Sequence, residues 1–128
     1  MMKKILIILL LMMLMPTVNA AMSYNDAYTM NNSTPMAVFV YADWATNYEK
    51  NLTEFRKAQQ ELGDKYNYVE LDIASNDAKV YTEQNAILPK LPYIMLYRGK
   101  CKFARLIDRS CASDEACILS KMKSFMRQ

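Results

Sequence analysis

The sequence predicts an α/β domain built on a mixed sheet with helices on both faces. The expected order is strand, helix, strand, helix, strand, strand, helix. Three observations carry this expectation. Residues 36–42 (Met-Ala-Val-Phe-Val-Tyr-Ala) form an unbroken apolar run of strand length, the mark of a strand buried on both faces. Residues 46–62 follow with apolar side chains at helical spacing. Residues 93–97 and 102–108 flank Arg98-Gly99-Lys100, a tight turn that makes them a hairpin. An alternating first half closes by a right-handed crossover with parallel pairing, and the hairpin adds antiparallel strands.

Each element has its own signal. Residues 22–34 are polar, with Tyr24, Ala27, Tyr28 and Met30 at near-helical spacing. They read as a short first helix and then the loop Asn31-Asn32-Ser33-Thr34-Pro35. In the helix over 46–62, Tyr48, Leu52, Phe55, Gln59 and Leu62 share one side, and Glu49, Lys50, Glu54, Arg56, Lys57 and Glu61 face solvent. Gly63 stands where such a helix is closed by a left-handed residue. Residues 66–73 alternate and form the second strand. Ser75 caps a helix running to about Asn85, with Val80, Tyr81, Gln84 and Ile87 on its apolar side. Leu88-Pro89-Lys90-Leu91-Pro92 is a loop. After the hairpin, Ser113 or Ser110 caps a last helix through about Met126. Cys117, Ile118, Met122 and Phe125 point inward, with Asp114 and Glu115 in the first turn, where the helix dipole favours acids.

Composition bounds the function. The chain has 128 residues. Residues 1–20 have the form of a secretory signal peptide: Lys3 and Lys4, an apolar run over 5–15, Pro16, then Val18-Asn19-Ala20 as a small-residue cleavage site. That run is shorter than the roughly 20 residues a membrane span needs. Residues 21–128 are expected to form one domain in an exported, oxidising compartment, periplasmic in a bacterium or outside the cell, with no stable membrane span after cleavage. Losing Lys3 and Lys4 lowers the formal charge from +3 to +1, so no nucleic-acid partner is expected. The asparagines of Asn31-Asn32-Ser33 and Asn51-Leu52-Thr53 match glycosylation acceptors but are discounted beside a bacterial-looking leader.

The chain contains no His, which excludes Cys–His and Ser–His nucleophiles and His-based zinc sites. No metal and no cofactor is expected. The three cysteines are Cys101, Cys111 and Cys117. Cys111 and Cys117 bracket the entry to the last helix and can reach the ~5.5 Å Cα separation a disulfide prefers. A strand over 102–108 at about 3.3 Å per residue holds Cys101 more than ~20 Å from Cys111. The expected pair is Cys111–Cys117. Cys101 is left as a free thiol or an intermolecular one, with a possible dimer through it. Arg98, Lys100, Lys102, Arg105 and Arg109 cluster around the hairpin, as a solvated sheet edge does, or as a surface for an acidic partner.

Four local features resemble the thioredoxin family when taken in order: the buried strand over 37–42, the step Ala42-Asp43-Trp44 into a helix, Leu91-Pro92-Tyr93 opening the hairpin, and Gly99 at its turn. The resemblance spans about residues 35–127 and implies a thioredoxin-like mixed sheet with a cis peptide before Pro92. Pro89 is the rival position, but no strand follows it directly. The family's Trp-Cys-x-x-Cys is matched by Trp44-Ala45-Thr46-Asn47-Tyr48. Exchange chemistry needs a thiolate at the helix N-terminus and a second thiol one turn on. Ala45 and Tyr48 supply neither, so the redox site is degenerate and no catalytic residue is expected there. The family's buried acid is matched by Phe39, and its Lys partner by Glu70.

The expected function is binding of a protein or peptide of unidentified nature. The family's groove would be lined here by Trp44, Ala45, Thr46, Tyr48, Leu91, Pro92 and Tyr93 and would take an extended segment by strand-like main-chain bonds. Two other readings stay open: a weak thiol–disulfide oxidoreductase using a displaced Cys111/Cys117 pair, and a structural subunit of an envelope assembly. Trp44 and Tyr48 could also do no more than cover the end of the core.

Overall fold

The computed structural model describes residues 21–30, 33–85, 88–98 and 103–127. The expected leader over 1–20, Asn31, Asn32, Ile87, Gly99 and Cys101 lie outside the described residues. The elements are α1 (Tyr24–Thr29), β1 (Met36–Tyr41), α2 (Tyr48–Leu62), β2 (Asn67–Asp72), α3 (Asp77–Gln84), β3 (Tyr93–Arg98), β4 (Phe103–Ile107) and α4 (Glu115–Met126). Short 3-10 turns over Gly63–Lys65 and Cys111–Ser113 follow α2 and precede α4.

The four strands form one sheet in the order β2-β1-β3-β4. β1 runs parallel to β2 and antiparallel to β3, and β3 pairs antiparallel with β4. β1 is central, which is why its apolar run is continuous: Met36 to Val40 are all buried. Alternation along the strands divides the core in two. Ala37, Phe39, Tyr68, Ile94, Leu96 and Ile107 meet α2 and α4 on one face. Val38, Val40, Val69, Leu71, Tyr93 and Tyr97 meet α1 and α3 on the other. Phe39 and Glu70 are register partners on β1 and β2. Phe39 is fully buried against Phe55, with ring centroids 5.4 Å apart. Glu70 accepts two hydrogen bonds from Arg56, at 3.0 and 2.6 Å.

Several boundaries differ from the sequence expectation for local reasons. α2 starts at Tyr48 rather than Thr46 because Asn47 adopts a left-handed backbone, φ 63°. Asn tolerates that conformation better than most side chains. Gly63 closes the same helix at φ 57°, its N–H donating to Gln59 O. α3 begins at Asp77, with Ser75 Oγ accepting from the Ala78 N–H at 3.3 Å. Its inward side is Ala78 and Tyr81, whereas Val80 is exposed, because an eight-residue helix turns only a narrow stripe inward. α4 is capped by Asp114, whose carboxylate accepts from the Ala116 N–H at 3.3 Å, and not by Ser110 or Ser113. Those two serines belong to the preceding 3-10 turn, where Ser113 Oγ donates to Ser110 O at 2.7 Å.

Candidate functional site

Strand register decides what lies at the working end of the sheet. Val40 pairs with Tyr93, and Ile94 with Ile107. The chain leaving β1, the chain entering β3 and the chain leaving β4 therefore emerge at the same end. These three segments carry Trp44, the Leu91-Pro92 loop and the Cys111 turn. The Leu91–Pro92 peptide is cis, at the position expected.

On leaving β1, Ala42 is buried, and the Ala45 N–H donates to its carbonyl at 3.0 Å. This tight turn pushes Trp44 outward, leaving it 73% exposed, while Ala45 tucks inward at 8%. Thr46 is exposed, and Leu91 half-buried. Asn47 makes no side-chain capping bond, and the Tyr48 N–H donates instead to the Ala45 carbonyl at 3.4 Å. The Tyr48 ring stacks on Tyr41, centroids 5.3 Å apart and planes 9° from parallel. Desolvation there, then the nearby Glu49 carboxylate, raises the Tyr48 hydroxyl above its ordinary pKa.

Pro92 and Tyr93 sit deeper than a groove lining requires. Pro92 is buried, and the Tyr93 ring is wholly within the core. Tyr93 therefore presents backbone, not a side chain, to anything bound at this end. Its hydroxyl shares a hydrogen bond of 2.8 Å with Tyr81, and the single Tyr97 hydroxyl lies within hydrogen-bond distance of both the Tyr81 hydroxyl, at 3.1 Å, and Asn85 Oδ1, at 3.3 Å. Burial, and then the bond to Tyr81, raise the Tyr93 pKa strongly, so its hydroxyl stays neutral. This network holds the strand after Pro92 against α3. Sequence reasoning missed it, although Tyr93 and Tyr97 share a strand face at a spacing of four and Tyr81 is central to α3.

Cys111 and Cys117 form the expected disulfide, with Cα atoms 5.3 Å apart. Cys111 is 9% exposed, and Cys117 is half-buried against the α2–α4 core. Asp108 anchors the turn before them. Its carboxylate accepts from the Cys111 N–H at 3.0 Å and from Ser110 Oγ at 2.8 Å, and its carbonyl accepts from the Ala112 N–H at 2.8 Å. The Cys111 N–H, and next the Ser110 hydroxyl, hold the Asp108 carboxyl below its usual pKa.

Between these segments lies a cleft of about 420 Å³. Thr46, Asn47 and Asn51 line it from the start of α2, Lys90 from the loop before Pro92, and Arg109, Ser110 and Ser113 from the Cys111 turn. The turn beside the disulfide thus stands next to the segment over 44–48. The sequence marked Asn51 only as a discounted glycosylation acceptor, and Lys90 only as part of the loop before Pro92. Asn51 falls between Tyr48 and Phe55 on the inward stripe of α2, and that spacing was the available signal.

No family model matches the chain, and no curated protein matches it. Solved structures do. Chloroplastic thioredoxin z is similar at TM-score 0.63 and 15% identity, over 85% of this chain and 93% of its own. Thioredoxin f2 of Chlamydomonas reinhardtii is similar at 0.61 and 18%, over 80% and 89%. Thioredoxin-2, described as a component of the malaria parasite protein secretion machinery, is similar at 0.58 and 18%, over 71% and 82%. Identities this low report architecture and not activity. Sheet order, the cis peptide before β3 and these likenesses agree: the chain has a thioredoxin-like fold.

Proposed function

We propose that this protein is an exported, thioredoxin-like binding module that holds a peptide or partner protein in the bacterial periplasm or outside the cell, without thiol–disulfide exchange at the usual position. The observation that carries the reading is the contrast within one turn. Trp44 is 73% exposed, a large aromatic surface with no ring partner among the described residues, while Ala45 and Tyr48 occupy the positions where exchange chemistry requires thiols. An exposed Trp beside a sheet end suits an extended segment, because the ring supplies contact area and backbone groups supply direction. The surface offered is Trp44, Thr46 and Leu91, together with the main chain at Pro92 and Tyr93. Export rests on the leader-like residues 1–20.

Site-specific photocrosslinking tests this reading. A photoreactive phenylalanine analogue at position 44 is expected to give discrete adducts in cells, and Leu91→Glu is expected to suppress them. The same probe at Val80, exposed on α3, is the control. Adducts no different between positions 44 and 80 would sink the proposal. So would turnover of a disulfide substrate by the purified protein above the rate of buffer and reductant alone.

A further inference from the structure

We infer that the cleft between the start of α2 and the Cys111 turn is a carboxylate-binding site, and that the ligand of this protein is a peptide presenting an acidic group there. This deepens the proposed function and rests on it only for the peptide; the anion site stands on its own geometry.

Three independent features converge on the cleft. The first is charge. Lys90 and Arg109 line it from two different segments, and neither has an ion-pair partner among the described residues. Among the described residues no carboxylate lines the cleft. The nearest acid in sequence, Asp108, already accepts from the Cys111 N–H and Ser110 Oγ. The second is the N-terminus of α2, a helix of 15 residues whose first turn lacks a side-chain cap at Asn47. Uncapped N–H groups and the helix dipole favour an anion. The third is Asn51. It is only 3% exposed, and its side-chain amide has no hydrogen-bond partner among the described residues. Yet among the described residues no fully sealed polar side-chain atom is left without a partner, so this amide keeps its contact with the cleft it lines. A buried amide without a partner is costly unless something occupies the space before it. Its NH2 can donate to a carboxylate oxygen, and the Arg109 guanidinium can bind the same group as a fork.

A carboxylate can come from a peptide C-terminus or from an Asp side chain, and binding measurements can separate the two. The protein recovered from cells expressing the full chain is titrated, by nitrogen–proton NMR, with acetyl-tetra-alanine, with its C-terminal amide, with an amidated penta-alanine carrying one central Asp, and with inorganic phosphate. The expected result is saturable shifts at Asn47, the Asn51 side-chain amide, Arg109 and Ser110 with at least one carboxylate peptide. Binding of the amidated tetra-alanine should be weaker by about tenfold or more. Which carboxylate peptide binds identifies the source. Lys90→Glu and Arg109→Glu, both at exposed positions where the fold tolerates change, should each remove the binding. No saturable shift with any probe at millimolar concentration overturns the site. Phosphate binding as tightly as the peptides overturns the peptide assignment. Carboxylate binding without crosslinking from position 44 would instead refute the Trp44 groove and leave this site standing.

Discussion

Removing the disulfide is the sharpest test of what the Cys111–Cys117 pair is for. The double substitution Cys111→Ala with Cys117→Ala is best made in a Cys101→Ser background, so that no third thiol can exchange. The bond closes a loop with a sequence separation of 6. In the chain-entropy model a loop of that size contributes about 2 kcal/mol at 25 °C. Burial of Cys111 adds an apolar contribution, because it belongs to the buried cluster that α2 and α4 share with the sheet. The Asp108 bonds to Cys111 and Ala112 remain, so the turn itself should keep its shape. The expected loss is about 2–3 kcal/mol, read as a fall in urea midpoint of about 1–2 M at unchanged slope. A loss below about 0.5 kcal/mol would show that the closed loop constrains nothing. The Cys101→Ser parent, which keeps the Cys111–Cys117 pair, answers the displaced-oxidoreductase reading. A staple this buried is expected to equilibrate with glutathione buffers below about −300 mV, and a value near −200 mV would place the pair among exchange-active dithiols and refute the staple.

Two further outcomes follow from the same geometry. Tyr81→Phe removes the hydroxyl partner of buried Tyr93, leaving that group unsatisfied, and should cost about 1–3 kcal/mol by denaturant unfolding. A change under about 0.3 kcal/mol would show that Tyr93 finds another partner. Asp108 has a carboxyl pKa lowered in the folded protein from its ordinary 3.8, so the stability it lends is present above that value and is lost as pH falls through the folded pKa. Asp108→Asn should therefore flatten the acid limb of the stability curve below about pH 4. An acid limb unchanged by the substitution would contradict that assignment.

Much of the architecture was legible because each element reports its own environment. An apolar run from Met36 to Ala42 can only be a strand covered on both sides, and the structure places it at the centre of the sheet. Phe55 and Leu62 marked the inward stripe of α2 because a helix repeats every 3.6 residues. The six-residue spacing of Cys111 and Cys117 was short enough for geometry alone to pair them. That Ala45 and Tyr48 carry no thiol is a matter of residue identity and needs no coordinates.

What the sequence could not decide was set by contacts between distant segments. Tyr93 looked like groove lining because it follows Pro92. Strand alternation turns it instead toward α3, where Tyr81 takes its hydroxyl. Asn51 stood out in the sequence only as a discounted glycosylation acceptor. Its burial, and its amide's outlook on the cleft, arise only when Lys90 and Arg109 are brought around it from segments roughly forty and sixty residues away along the chain. Periodicity states which face of an element is covered, because that follows from local backbone geometry. It cannot state which distant side chains meet across a cleft, because that depends on strand register and loop paths, and these exist only in the folded chain.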